Sequence, residues 1–259
     1  MPYYDQHVHT HYSFDSTAQF VDYLQQTTNP FVTTEHLEMS NPEDAGRDDL
    51  PDYPGYLAEQ AALRKQFSNQ LRRGIEVGYY EPRLDAIHAY LVQGNYDLTL
   101  LSFHHDGQHD YQDESFTHLD LQTHVQAYYQ RMLAGLRKFD DADVLAHFDY
   151  GLRVLDITPA QLRAFAEPTI REILDFIIKK HMAFELNTKS MYRWQNVDLY
   201  AMVLDWYLEA GGKFITLGSD AHTSDKFQSD FATAKEFLHA HGVTQLAVYT
   251  QHHAELVDF

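Results

Sequence analysis

The chain contains no cysteine, which excludes disulfides, a thiolate nucleophile and any zinc site built on sulfur. It is also poor in positive charge: 19 Lys and Arg stand against 38 Asp and Glu, a formal net charge of −19 with histidine neutral. That balance argues against sequence-independent binding to nucleic acid, which needs basic surface to neutralise phosphates. A few local cations can still reverse the field inside a pocket, so a small anionic substrate stays open. No run approaches the roughly 18 apolar residues needed to cross a membrane. The opening MPYYDQHVHT has neither a basic nor an apolar leader region, so no secretory signal and a cytoplasmic location are expected. Linkers, low-complexity tracts and internal repeats are missing too, and residues 1–259 are expected to form a single domain of a length usual for one α/β barrel.

The abundant residue is histidine, with 17 in the chain, and imidazole is the commonest protein metal ligand. Where these rings fall depends on a repeated strand-then-helix rhythm. Short β-rich runs occur at Tyr3–His9, Pro30–His36, Arg73–Val77, Leu98–Phe103, Val144–Phe148, Met182–Leu186 and Phe214–Gly218. Helix-like segments lie between and after them at Ala18–Thr27, Tyr56–Leu71, Arg83–Gln93, Leu121–Phe139, Pro159–Lys180, Val197–Ala210 and Asp225–His241. Thr158 before Pro159 reads as an N-cap with proline in the first helical position, and Gly211-Gly212 reads as a helix stop. Such alternation favours a parallel sheet, and seven units favour its closure into a (β/α)7 barrel. The stretch Glu38–Tyr53, rich in Pro, Asp and Gly, fits neither element and reads as a lid, a substrate loop or a disordered acidic loop.

Polar residues gather at the C-terminal ends of the expected strands. The first ends in D-Q-H-V-H, placing Asp5, His7 and His9 on one face because strand side chains alternate. The second ends in Glu35-His36, the third in Glu76, the fourth in His104-His105 and the fifth in His147; the seventh runs out through G-S-D-A-H to Asp220 and His222. In a parallel barrel these ends meet at one rim, where such barrels do their chemistry. A lone histidine on a half-buried strand is usually structural, but strand after strand ending in imidazole or carboxylate would be costly to bury without cations. Imidazole and carboxylate without thiolate suit Zn, Fe or Mn. The donors exceed one coordination sphere, so two or three divalent ions sharing a bridging carboxylate are expected, with Glu76 well placed to bridge. Such clusters activate water and clamp both oxygens of an in-line displacement at phosphorus. His88, His118, His124, His239, His241, His252 and His253 are expected on solvated faces, and His11, beside the motif, is not counted among the candidate ligands.

These residues, in this order, resemble the polymerase-and-histidinol-phosphatase (PHP) superfamily. The stretches H-V-H-T-H-Y-S-F-D-S from His7, S-F-H-H from Ser102, H-F-D-Y-G-L-R from His147 and E-L-N-T from Glu185 are similar to its histidinol-phosphatase branch. The resemblance runs from His7 to His222 and implies a distorted (β/α)7 barrel. It implies a first ion held by His7, His9, Glu76 and Asp220, a second by Glu76, His104 and His147, and a third by Asp15, His36 and His222. Asp15 departs from the superfamily version with histidine there, although a carboxylate is an acceptable ligand. The implied activity is hydrolysis of L-histidinol phosphate, with Asp220 or His222 moving a proton. Arg153 in HFDYGLR and Arg193 in NTKSMYR are candidate phosphate clamps, since a guanidinium matches two phosphate oxygens. Tyr111, in the loop after His104-His105, is a candidate contact to phosphate or imidazole, with ordinary loop packing as the alternative. A nucleotide or sugar phosphate is the rival substrate, and a metal-binding module without turnover the rival class.

Overall fold

In the computed structural model, which describes residues 3–259, six strands lie side by side in parallel: β1 (Phe31–Asn41), β3 (Leu71–Gly78), β4 (Leu98–Ser102), β5 (Val144–Leu145), β6 (Ala183–Asn187) and β7 (Ile215–Gly218). A short β2 (Arg47–Asp49) pairs antiparallel on the outer edge of β1 and completes a seven-stranded sheet. Helices α1 (Phe20–Leu24), α2 (Tyr53–Leu63), α3 (Leu84–Leu91), α4 (Leu121–Leu136), α5 (Pro159–Lys179), α6 (Val197–Glu209) and α7 (Phe231–Ala240) alternate with the strands. None of the described helices is long and apolar enough to cross a membrane.

The expected first strand is not a ladder strand. Residues 3–10 instead thread between the two ends of the parallel array. Thr34 N donates to Val8 O at 2.7 Å on the β1 side, and on the β7 side Asp220 N reaches His7 O and His9 N reaches Ala221 O, both at 2.9 Å. Within this segment Val8 alone forms a bridge, with Ala221. Asp5 is the reason: its Oδ1 accepts from His7 N at 3.1 Å and Ser219 N at 2.9 Å, and so takes up backbone donors that a ladder would use. The segment fills the place of a seventh barrel strand, and the barrel is correspondingly distorted.

Other boundaries also move. The stretch Glu38–Tyr53 is an ordered hairpin rather than an irregular loop. β1 continues to Asn41, whose side chain accepts from Glu43 N at 3.0 Å, and Ala45 and Gly46 turn the chain at φ 55° and 77° into β2. α2 stops at Leu63, so Leu71 opens β3 rather than closing a helix. β5 pairs over only two residues, because Glu185 Oε2 takes the backbone N–H of His147 at 2.7 Å. The chain ends in an unforeseen hairpin, β8 (Gln245–Thr250) and β9 (His253–Asp258), turning through Gln251 and His252 at φ 48° and 63°. His252 is tied to Asp143 at 2.8 Å. His124 is buried, not solvated, with Nε2 2.8 Å from Gly151 O.

α5 forms as its sequence dictates. Thr158 and Gln161 make a reciprocal capping box around Pro159. Leu162, Ala166, Ile170, Ile173, Leu174 and Ile177 form its buried stripe, which continues the core cluster reaching Met132 and Leu133 of α4 and Val203 and Leu204 of α6. Each fully buried Leu or Ile contributes roughly 1.5–3 kcal/mol. This helical shell holds the strand ends in place.

Candidate metal centre

Glu76, on β3 opposite His36 of β1 in the strand register, is fully buried at the centre of the rim. Its two oxygens face different rings. Oε2 lies 3.1 Å from His7 Nε2, 3.3 Å from His9 Nε2 and 3.1 Å from His36 Nδ1. Oε1 lies 2.7 Å from His147 Nε2 and 3.2 Å from His104 Nε2, and also accepts the Ser102 hydroxyl. One oxygen for each side is the arrangement of a bridging carboxylate. Asp15 Oδ2 stands 2.9 Å from His222 Nε2 and 3.6 Å from His36 Nε2. Ligand atoms in four overlapping groups lie within 4.8 Å of one another: His7, His9 and Glu76; His7, His147 and Asp220; His36, Glu76 and His104; His9, His36 and His222. All nine residues carried over as ligands thus come together, although the residues share groups differently from the three expected sets.

The surroundings orient the rings. His7 Nδ1 is 2.6 Å from Glu185 Oε1, His104 Nδ1 bonds Glu38, His222 Nδ1 lies 3.0 Å from Asp220 O, and His9 Nδ1 lies 3.1 Å from Ser13 Oγ. The Ser13 hydroxyl passes the interaction on by donating to Glu35 at 2.6 Å. With Nδ1–H donating outward, each Nε2 presents a lone pair inward, the tautomer that metal ligation requires. Inward nitrogens then face each other: His7 and His9 at 3.1 Å, His104 and His147 at 3.5 Å, His36 and His222 at 3.4 Å. Lone pairs converging at these distances fit cations, and so does the buried Nδ1 of His36, which faces Glu76 Oε2 without an aligned hydrogen bond.

Charge supports the same donor set. Burial pushes the Glu76 carboxyl up, but His7, His36 and His104 outweigh it and hold the group well below the usual carboxylate range. Asp220 is held low against burial by Lys189, His7, His222 and Arg153. Burial draws His9 and His147 down toward the neutral form. His7, His36 and His104 move up against burial, drawn by Glu185, Asp15, Glu38 and Glu76. These carboxylates call for positive charge, which protons or metal ions can supply.

The substrate candidates part company. Arg153 is buried at the cavity wall: Nε donates to Ser190 Oγ at 2.8 Å, Nη2 reaches Asp220 Oδ2 at 3.2 Å, and its guanidinium lies 4.6 Å from the Tyr150 ring centroid. Arg193 borders a neighbouring cavity of about 610 Å³ instead. Tyr111 is not brought to the metal ligands. Its ring packs 5.1 Å from Phe116 and 5.0 Å from Tyr128 in the core and lines a separate cavity. The aromatic position beside the imidazoles belongs to Tyr150, 4.6 Å from the His104 ring, with its hydroxyl 3.1 Å from Asp110 Oδ2. Sequence reasoning also missed Glu38, Glu185, Asp110 and Lys189. Glu38 had a readable signal, since it follows His36 by two on one strand and therefore shares its face.

Comparison with known proteins gives the family and the fold. The chain is 26% identical over 237 residues to a probable histidinol-phosphatase of Clostridium acetobutylicum, covering 89% of this chain and 91% of that one. It is 25% identical over 257 residues to the histidinol-phosphatase of Lactococcus lactis subsp. lactis, covering 95% and 94%. The crystal structure of histidinol phosphate phosphatase from Lactococcus lactis subsp. lactis, complexed with zinc, L-histidinol and phosphate, shares the fold with a TM-score of 0.86 at 24% identity, over 97% of this chain and 98% of that one. The family model of the PHP domain matches residues 5–189, from the Asp5 that bends the first segment to the Lys189 that meets Asp220, and the chain belongs to the PHP domain family.

Proposed function

We propose that the protein is a metal-dependent phosphate monoester hydrolase acting on L-histidinol phosphate. The carrying observation is the mixed lining of the cavity, about 60 Å³, at the imidazoles, which joins cations to carboxylates and aromatic rings. Arg153 and Lys189 line it beside Asp220, while Glu43 and Asp110 line it with the exposed Phe14. A phosphate suits the first group. An amine-bearing, aromatic alcohol suits the second, because its cation meets carboxylates and its ring meets Phe14 and Tyr150. A sugar phosphate offers no cation to those carboxylates, and a nucleotide brings further negative charge to them. The histidinol-phosphatase names of the relatives support the same substrate.

His7, His9, Glu76 and Asp220 would hold a first divalent ion, Glu76, His104 and His147 a second, and Asp15, His36 and His222 a third, with Zn, Fe or Mn suited to the donors. Bound there, such ions supply an activated water and neutralise charge on phosphoryl oxygens. Arg153, fixed by Ser190 and Tyr150, holds a nonbridging oxygen, and a preorganised donor of this kind costs no reorientation as charge redistributes. Asp220 or His222 moves a proton: His222, at the partly exposed edge, toward the departing alkoxide, while Asp220, held ionised, can only accept one.

Steady-state phosphate release from L-histidinol phosphate, beside nucleotide and sugar-phosphate substrates, tests the reading. A kcat/KM preference for L-histidinol phosphate is expected, lost in Glu76→Ala and Arg153→Ala. Asp110→Asn should reduce the preference, raising KM for the amine-bearing substrate more than for a sugar phosphate. Preference for another monoester would move the substrate, and no turnover by metal-replete protein would refute the activity.

A further inference from the structure

β6 ends at Asn187, and Lys189–Arg193 then form a single π turn at the rim. Such turns are rare and occur mostly at functional sites. Both cations of the turn border the neighbouring cavity with Asp220 and His222, but only Lys189 also reaches the central one. Lys189, at the start, places Nζ 3.0 Å from Asp220 Oδ1 and 3.4 Å from His222 Nδ1, and it lines the central cavity with Arg153. Ser190 is buried and anchors Arg153. Arg193, at the end, lies beside Trp194 with its guanidinium 6.0 Å from the ring centroid, and it borders only the neighbouring cavity.

Asp220 therefore carries a cation on each oxygen, Lys189 on Oδ1 and Arg153 on Oδ2. Two cations on one carboxylate leave a surplus positive charge at the cavity wall. Donors remain as well. An ammonium has three N–H groups and Asp220 occupies one, while Nη1 of Arg153 makes no hydrogen bond among the described residues. We infer that Lys189 is a phosphate-binding residue, its ammonium donating to a nonbridging oxygen of the phosphoryl group that Arg153 holds from the other side of Asp220. Arg193, expected in that role, does not border the central cavity. The assignment rests on the phosphate-monoester reading above.

Inorganic phosphate is titrated calorimetrically into metal-loaded wild type, K189M, K189R and R193M, with bound metal quantified in the same samples. A charge-assisted hydrogen bond is lost in K189M, so phosphate binding weakens by about 10- to 100-fold with metal content unchanged. K189R recovers most of the affinity, and R193M loses less than K189M does. Wild-type phosphate affinity in K189M, or a larger loss in R193M, overturns the assignment. Loss of metal from K189M overturns it as well, because Lys189 would then act by neutralising Asp220 alone. A wild type that binds phosphate yet leaves L-histidinol phosphate intact refutes the proposed substrate while the Lys189 comparison still decides its own question. Absence of phosphate binding by wild type refutes both.

Discussion

Gly78 touches no ligand atom, yet Gly78→Ala is expected to weaken metal binding. It closes β3 two residues after Glu76, and the Glu38 carboxylate lies flat against it, so a Cβ there would overlap both oxygens and the carboxyl carbon. Gly78 does not have a positive φ, so alanine brings no backbone strain and acts through this overlap alone. Restoring ordinary contact moves the carboxylate by on the order of 1 Å, enough to break its hydrogen bond to His104 Nδ1. His104 would keep its place but lose the acceptor that fixes its tautomer, in a site only 5% exposed. Outer partners of this kind are worth about 10- to 100-fold in metal affinity, which matches the roughly 1–3 kcal/mol of an orphaned buried donor. Competition titration of zinc against a chromogenic chelator measures the effect. Gly78→Ala and Glu38→Ala should each lose about 10- to 100-fold. The double variant should lose little more than either, because both remove one interaction. Wild-type zinc affinity in Gly78→Ala, or losses that add, would refute the reasoning.

The opposite side of the site offers a matched case. A Cβ on Gly218 would lie 2.5 Å from both Glu185 Oε1 and His7 Cβ, so Gly218→Ala should lower zinc affinity by disturbing His7, and an unchanged titration would count against it. Metal ions that bind only the folded chain should stabilise it by about 2.7 kcal/mol at a hundredfold excess over Kd. Chelation should then lower Tm by roughly 5–10 °C in a thermal melt. Away from the site, the hydrogen bond to Asp143 comes first among the causes that raise the His252 pKa. A proton held more tightly in the folded state gives stability that is complete below about pH 6.5 and lost as pH rises through the folded value. His252→Asn, which suits the left-handed turn, should cost about 0.5 kcal/mol in denaturant titrations at pH 5.5, the half-exposed pair being screened, and less above pH 8. A pH-independent difference would exclude this ion pair as its source.

The convergence of the candidate ligands could be read from the chain because their chemistry is carried by residue type. Imidazoles and carboxylates recurring at strand ends have few other uses, and the parallel topology brings those ends to one rim whatever the details of each strand. Residues whose part depends on local backbone were harder to read. Glu38 fell outside a strand thought to end at His36, although β1 runs on through Glu38 to Asn41. Arg193 was singled out for its guanidinium just beyond a strand, and the π turn puts Lys189 on the central cavity wall. Tyr111 and Tyr150 are alike in type, and only the packing of the loop onto Phe116 and Tyr128 assigns the first to the core. The terminal hairpin lacked the Asn-Gly signal that usually marks such a turn, since Gln251 and His252 hold the positive φ angles. Least readable of all are Gly78 and Gly218, whose contribution is the space they leave. A glycine at a strand end carries no chemistry of its own, and the importance of these two comes from carboxylates, distant in sequence, that lie over them and orient the His104 and His7 imidazoles.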